Sequence, residues 1–269
     1  MTGCYLDSTI LVDFAQDAQP RTKAALVHTK ANPPVKIAEY AYRELLVGRV
    51  GSLCDAHNAL IASSNLVEVA LAFSIRGTFA RTPQAQAHEI LSRLKKMFDK
   101  KKSINPALAK REVQEELMML ATKMWKKATK FPGAERVQPL SCFNDGRITR
   151  DKHGLLLGPN NSFNCAIGAT CAAAHYMYAD RRGLRKMIAA LDSPKLPGHL
   201  KTKGETQSRR KALDLLERRG PTKITKSGCR QLGDAYFAAM CPPGHHVVTT
   251  NADDFQPLCG ALSKDVRTP

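Results

Sequence analysis

The sequence lacks a long apolar run of the kind that crosses a membrane. A membrane-spanning helix needs roughly 18 or more predominantly apolar residues, and the best candidate, residues 60–73, is interrupted by two serines, an asparagine and Glu68. The amino terminus has no basic segment ahead of an apolar run, and Asp7 falls where a signal peptide has apolar residues. We therefore expect a cytoplasmic protein with no membrane partner.

The eight cysteines lack the spacing of a disulfide framework or of a zinc finger. They form no CxxC pair and have no histidine at zinc-finger spacing. Most stand among apolar residues, which indicates buried, reduced thiols. A metal site built from Cys165, Cys171 and His175 is an alternative use of these side chains. The pair His245-His246 enters a predicted strand and is interpreted as structural.

Acidic side chains are in the minority, yet they are concentrated at the two ends of the chain. There are 41 Lys and Arg against 24 Asp and Glu, for a net charge of +17. Residues 1–20 carry −3 and residues 231–269 carry −2, which leaves +22 for residues 21–230. So positive a segment attracts polyanions, nucleic acid above all, or else serves only as a solubilising surface. The acidic ends require an explanation of their own.

Strand and helix signals alternate at both ends of the chain. Residues 4–6 and 35–38 predict short strands, each followed by a helix, and the first helix begins with a cap at Ser8 or Thr9. Residues 246–250 predict a β-branched strand followed by a final short helix. This order predicts an α/β fold in which both ends of the chain contribute to one parallel sheet.

Several acidic residues follow the predicted strands or lie beside them. Asp7 follows the first strand, Asp253-Asp254 follows the last, and Asp234 lies on the helix before the last strand. The carboxyl ends of parallel strands form the usual ligand crevice of an open α/β sheet. Carboxylates that meet there repel one another unless a cation lies between them. Mg²⁺ or Mn²⁺, which prefer oxygen ligands, would meet that need.

Four short acidic motifs occur in order along the chain. They are Asp7-Ser8-Thr9, Glu44-Leu45-Leu46-Val47-Gly48, Gly233-Asp234-Ala235 and Val248-Thr249-Thr250-Asn251-Ala252-Asp253-Asp254-Phe255. In order and local setting they resemble the motifs of PIN-domain nucleases, a family that includes the VapC-type ribonuclease toxins. The resemblance covers residues 1–50 and 228–262. It implies a PIN-like three-layer α/β/α fold with a central parallel sheet.

The spacing between the second and third motifs departs from that family. Family members separate them by several tens of residues, whereas Glu44 and Asp234 are 190 positions apart. We therefore expect a PIN-like core in two halves, 1–50 and 228–269, divided by a large basic and mostly helical insertion at 51–227. Within it, apolar residues at helical spacing predict a helix over 106–130.

The resemblance also implies roles for single residues. The catalytic, metal-binding carboxylates would be Asp7, Glu44, Asp234 and Asp254. The residues that orient them would be Ser8, Thr9, Thr250 and Asn251, and Asp253 could substitute for Asp254. The implied chemistry is phosphodiester hydrolysis by water that one or two Mg²⁺ or Mn²⁺ ions activate.

We therefore expect a metal-dependent endoribonuclease, of the toxin type if the resemblance extends that far. An acidic antitoxin protein and a homodimer are partners that the resemblance implies. One alternative is a nucleic-acid-binding protein of the same fold without catalysis, and another is a nuclease that acts on DNA. A phosphohydrolase with a nucleophilic aspartate is disfavoured, because it requires a second Asp two positions after the first, where this chain has Thr9.

Overall fold

The computed structural model describes residues 2–62, 106–138, 140, 148–157 and 171–269. The described residues of Met1–Arg43, Lys130–Asn144 and Phe163–Pro269 form one compact unit, and those of Glu44–Thr129 and Asp145–Ser162 form a second. Of the predicted insertion, residues 63–105, 139, 141–147 and 158–170 lie outside the described residues, and the described residues of 130–144 and 171–227 fall in the first unit. Among the described helices, none combines the length and the apolar character needed to cross a membrane.

The described residues form short strands and helices of varied length. The strands are β1 (Gly3–Leu6), β2 (Val35–Ala38), β3 (Ala134–Val137), β4 (Thr149–Arg150), β5 (Leu156–Leu157), β6 (His245–Val248) and β7 (Val266–Arg267). The helices are α1 (Ser8–Gln16), α2 (Arg21–Ala31), α3 (Glu39–Leu45), α4 (Gly51–Ala62), α5 (Pro106–Ala128), α6 (Ala172–Ala179), α7 (Arg181–Leu191), α8 (Gly198–Thr202), α9 (Gly204–Arg219), α10 (Lys226–Gln231), α11 (Gly233–Met240) and α12 (Ala252–Ala261). A π-helical turn (Leu46–Val50) follows α3, and a 3-10 turn (Pro221–Lys223) follows α9.

In the first unit, five strands form a parallel sheet in the order β3-β2-β1-β6-β7. Every residue of β1 is buried, as expected for a central strand of a parallel sheet. The register pairs Leu6 with Val248, so the residues that follow β1 and β6 emerge side by side. The predicted α/β fold, with a parallel sheet that both ends of the chain build, is confirmed.

Aromatic packing in the first unit fixes the two helices that flank β6 in sequence. The ring of Phe237 on α11 lies 6.2 Å from that of Tyr5 on β1 and 6.2 Å from that of Phe255 on α12, in edge-on arrangements. All three side chains are almost fully buried, and such pairs favour a defined geometry. Asp234 lies one helical turn before Phe237, and Asp254 adjoins Phe255, so the same packing positions both acidic residues.

The second unit is built around the packing of α4 against α5. Val113, Leu117, Ala121 and Met124 are buried along one side of α5, which confirms the helix predicted over 106–130. The antiparallel strands β4 and β5 lie beside α4. Asn58 on α4 fixes β5, because its Oδ1 accepts from Leu156 N at 2.8 Å and its Nδ2 donates to Leu156 O at 3.1 Å.

Candidate active site

Asp7 caps helix α1 at the carboxyl end of β1. Its Oδ1 accepts a hydrogen bond from Ser8 N at 2.6 Å, and its Oδ2 accepts one from Thr9 N at 3.4 Å. The cap of α1 is therefore Asp7 and not Ser8 or Thr9 as predicted. Burial raises the pKa of the Asp7 carboxyl, and hydrogen bonds from the adjoining hydroxyl and backbone N–H groups oppose that rise.

Two threonine hydroxyls tie the residues after β6 to the end of β1. Thr9 and Thr249 each donate from Oγ1 to Asp7 Oδ2 at 2.8 Å, and the two hydroxyl oxygens lie 3.3 Å apart. Asn251 N donates to Thr249 Oγ1 at 3.0 Å. Thr250 is exposed and contributes its backbone N–H, which donates to Thr9 Oγ1 at 3.2 Å. Thr249 therefore supplies the hydroxyl that contacts Asp7 from this segment. The sequence predicted Thr250 for that role and did not select Thr249.

Asp254 is the buried carboxylate of the last motif. It is 2% exposed, whereas the Asp253 side chain is 72% exposed and lies 3.8 Å from His199 Nε2. Asp254 Oδ2 accepts from Asn251 Nδ2 at 2.5 Å and pairs with Lys203 Nζ. Burial acts to raise the pKa of Asp254. The two hydrogen bonds and the nearby cations lower this pKa by more than burial raises it, so the net shift is downward. Its other oxygen, Oδ1, is buried and has no hydrogen-bond partner among the described residues.

Asp234 lies in the first turn of α11 and forms an ion pair with Arg209 on α9. Its pKa is raised to about 6. Burial is the largest cause, the negative charges of Asp7 and Asp254 add to it, and the Arg209 guanidinium opposes it. A carboxyl whose pKa is raised by two other carboxylates must lie close to both of them.

Asp7, Asp234 and Asp254 therefore converge at the carboxyl ends of β1 and β6. The chain passes from β1 to β2 on one side, and β6 returns on the other side of β1. Open α/β sheets bind ligands where the strand order reverses in this way, beyond the carboxyl ends of the strands. We call these three residues the acidic cluster.

Two basic residues from α9 and its amino-terminal end face the acidic cluster. The Arg209 side chain is only 8% exposed, and Lys203, which precedes α9, also lies 3.2 Å from Glu205. Arg209 was not selected from the sequence. In the structure it lies one turn after the buried Thr206 and one turn before the buried Leu213, on the inward face of α9.

Glu44, the fourth predicted carboxylate, belongs to the second unit. It lies near the carboxyl end of α3 and is half-buried. Its participation in the acidic cluster stays a prediction. Of the alternative thiol and imidazole site, Cys165 lies outside the described residues, and Cys171 and His175 are at the start of α6.

The acidic cluster carries the oxygen ligands that a hard divalent cation prefers, but in the described part of the chain its three carboxylates do not form a group of oxygens within 4.8 Å of one another. Mg²⁺ and Mn²⁺ prefer carboxylate oxygens, and Asp254 Oδ1 is a buried carboxylate oxygen to which no group among the described residues donates a hydrogen bond. A buried anionic oxygen without a partner is costly, and a bound cation would remove that cost. Asp7 already directs both oxygens to protein donors, so Asp254 and Asp234 offer the more accessible ligand atoms.

No family model matches the chain, and no curated protein or solved structure matches it at a significant level. The resemblance to PIN-domain nucleases thus rests on the order and local setting of the four acidic motifs. The convergence of three of their carboxylates is a separate observation, because it comes from the packing of the first unit.

Proposed function

We propose that this protein is a divalent-metal-dependent endoribonuclease of PIN-like, three-layer α/β/α fold. The observation that carries the proposal is the acidic cluster at the strand-order reversal, in which burial, together with the charges of Asp7 and Asp254, raises the pKa of Asp234 to about 6 against the opposing Arg209 guanidinium. A divalent cation bound among the three carboxylates would offset their mutual repulsion.

Asp234 and Asp254 would hold the cation, with Asp7 beside them and Glu44 added by the resemblance. A bound Mg²⁺ or Mn²⁺ would activate the attacking water and would neutralise the negative charge that develops on the leaving oxygen. Thr9 and Thr249 keep the Asp7 carboxylate in one orientation, and Asn251 does the same for Asp254.

The basic character of residues 21–230 supports a nucleic-acid substrate. Lys203 and Arg209 bring two positive charges to the acidic cluster, where they can bind a phosphate once a cation engages the carboxylates. The choice of RNA over DNA rests on the resemblance alone. An acidic antitoxin partner and a homodimer are also proposed only on that resemblance. Binding should weaken steeply with salt, because phosphate contacts release counterions.

A second candidate function is nucleic-acid binding without catalysis. The ion pairs of Lys203 with Asp254 and of Arg209 with Asp234 favour it, since they already neutralise two of the three carboxylates. In that case Mg²⁺ would change neither binding nor the integrity of the RNA.

One experiment tests both candidates. End-labelled RNA and single-stranded DNA of the same sequence are incubated with the protein over a titration of Mg²⁺ and of Mn²⁺. We expect RNA cleavage that chelation stops and that added metal restores. Asp234→Asn and Asp254→Asn should each lower the cleavage rate by more than about 100-fold, which is the upper range for residues that only support a metal ligand.

The matched control is Asp253→Asn, because Asp253 adjoins Asp254 in sequence but is exposed. It should cleave like the wild type. RNA bound tightly and left intact at every metal concentration would support the binding protein and exclude the nuclease. Cleavage of DNA but not of RNA would show that the same site belongs to a nuclease that acts on DNA.

A further inference from the structure

A second group of metal-ligating side chains lies at the amino-terminal half of the same strand pair. Cys4 on β1 lies opposite His246 on β6 in the parallel register, and His28 reaches them from α2. Cys4 and His246 are fully buried, and His28 is half-buried. We call these three residues the Cys–His cluster.

The ligand atoms of the Cys–His cluster have the separations of a tetrahedral metal site. Cys4 Sγ lies 3.8 Å from His246 Nε2, and His28 Nε2 lies 2.9 Å from the same nitrogen. All three atoms lie within 4.8 Å of one another. Tetrahedral zinc places two ligand nitrogens roughly 3.3 Å apart and a nitrogen and a sulfur roughly 3.6 Å apart. The two separations that involve His246 Nε2 thus differ from the tetrahedral values by a few tenths of an ångström.

The charge states of the two histidines suit metal ligands, whereas Cys4 must lose a proton on binding. Burial lowers the pKa of His246 to about 4, and burial and Arg267 also lower the pKa of His28, so both rings are neutral at pH 7. Neutral imidazole is the form that ligates metal. His246 Nδ1 makes no hydrogen bond within the described part of the chain, so the protein does not hold this ring in one tautomer. Burial raises the pKa of the Cys4 thiol to about 11, and Arg267 opposes that rise.

We propose that Cys4, His28 and His246 form a binding site for a divalent transition metal of the zinc class, which fastens α2 to β1 and β6. Zinc takes thiolate and imidazole ligands in tetrahedral geometry, and water on the half-exposed side of His28 completes the set. On binding, the Cys4 thiol releases one proton to solvent. The histidine that donates the hydrogen bond between the two Nε2 atoms changes tautomer, so that its proton moves from Nε2 to Nδ1 and both Nε2 atoms are free to bind the metal.

This site is separate from the acidic cluster. Cys4 precedes Asp7 by three residues in an extended strand, so their backbones are roughly 10 Å apart. The ligands also differ in kind, since sulfur and nitrogen select zinc-class ions and carboxylate oxygens select Mg²⁺ or Mn²⁺. The proposal does not depend on nuclease activity.

The test is a titration of the metal-free, full-length protein with Co²⁺, followed by displacement with Zn²⁺. We expect a thiolate-to-cobalt charge-transfer band in the near ultraviolet and visible bands of tetrahedral intensity. Both should saturate at one Co²⁺ per chain and disappear when Zn²⁺ is added. Cys4→Ser should abolish the charge-transfer band, and His28→Gln should weaken cobalt binding at least about tenfold.

Two controls keep the outcome decisive. His245→Gln changes the neighbouring histidine, whose ring lies beside Gly3 and which is not one of the three proposed ligands, and it should bind Co²⁺ like the wild type. Asp234→Asn should also keep the band while it loses RNA cleavage, because carboxylates give no thiolate transition. A wild-type protein that shows the band but cleaves RNA at no metal concentration would overturn only the proposed function. Because Cys4→Ser can disturb the core, the result for His28→Gln decides whether the metal site exists. If this variant has the wild-type circular dichroism spectrum and wild-type cobalt affinity, or if the wild type shows no band, the site does not exist.

Discussion

The two ends of the β1–β6 strand pair carry side chains of different chemistry. At the carboxyl ends, three carboxylates face Lys203 and Arg209. At the amino-terminal half, a thiol and two neutral imidazoles meet around a fully buried ring. The first arrangement depends on charge balance and the second on the positions of uncharged ligand atoms. Loss of one charged partner should therefore cost far more at the acidic cluster than loss of one uncharged partner at the Cys–His cluster.

The largest expected effect comes from removal of the buried guanidinium of the acidic cluster. Arg209→Leu leaves Asp234 without its cation beside two other carboxylates. We expect the free energy of unfolding at pH 7, without divalent metal, to fall by about 3–5 kcal/mol. Urea denaturation followed by circular dichroism measures it.

The matched change at the other end is His28→Gln, which removes one hydrogen bond between neutral rings. In the same buffer it should cost no more than about 1.5 kcal/mol. Adding Asp234→Asn to Arg209→Leu should recover part of the lost stability. Equal losses from Arg209→Leu and His28→Gln would remove the distinction between the two ends.

The second effect is the pH dependence that Asp234 contributes at the acidic cluster. The pKa of Asp234 rises from 3.8 to about 6 on folding, so between these values the folded protein binds more protons than the unfolded chain. Stability due to this group is present below pH 4 and is lost as the pH rises to about 6. Relative to Asp234→Asn, the wild type should lose up to about 3 kcal/mol over that range.

This comparison is made by denaturation of both proteins in steps of half a pH unit without divalent metal. Asp253→Asn should follow the wild-type profile. Parallel profiles for the wild type and Asp234→Asn would mean that the three carboxylates do not interact as the structure implies. Saturating Mg²⁺ should flatten the wild-type profile, because a bound cation favours the ionised carboxylates.

The smallest effect concerns the hydroxyl that joins the two strand ends. Thr249→Val keeps the shape of the side chain but removes the hydrogen bond from Oγ1 to Asp7 Oδ2. A hydrogen bond to a charged acceptor contributes about 2 kcal/mol, and unfolding experiments should show a loss of that size. Thr250→Val, which alters an exposed neighbour, should leave stability unchanged within about 0.5 kcal/mol.

The acidic residues could be predicted from sequence because their signals are local. Asp7 directly follows β1, and Asp254 follows β6 in the first turn of α12, so each position is set by the strand next to it. Their convergence follows from the parallel pairing of those strands. The choice of Asp254 over Asp253 needed the structure, since only helix orientation decides which of two adjacent side chains is buried.

Other features depend on contacts between distant parts of the chain. The Cys–His cluster joins residues up to 242 positions apart, and no spacing rule covers such a set. The short edge strands β3 and β7 contain exposed polar residues, so they lack the apolar pattern of a central strand. Arg209 resembles the other arginines of α9 in sequence, and only its burial against the acidic cluster distinguishes it.

The double use of Asp7 has a consequence for genetic screens. One carboxylate both starts α1 and anchors the segment after β6, so a change at this codon disrupts local folding along with any chemistry. Selection for inactive clones will recover position 7 readily, yet such clones cannot separate a poorly folded product from an intact but inert one. Codons 234 and 254 are the more informative targets for that purpose.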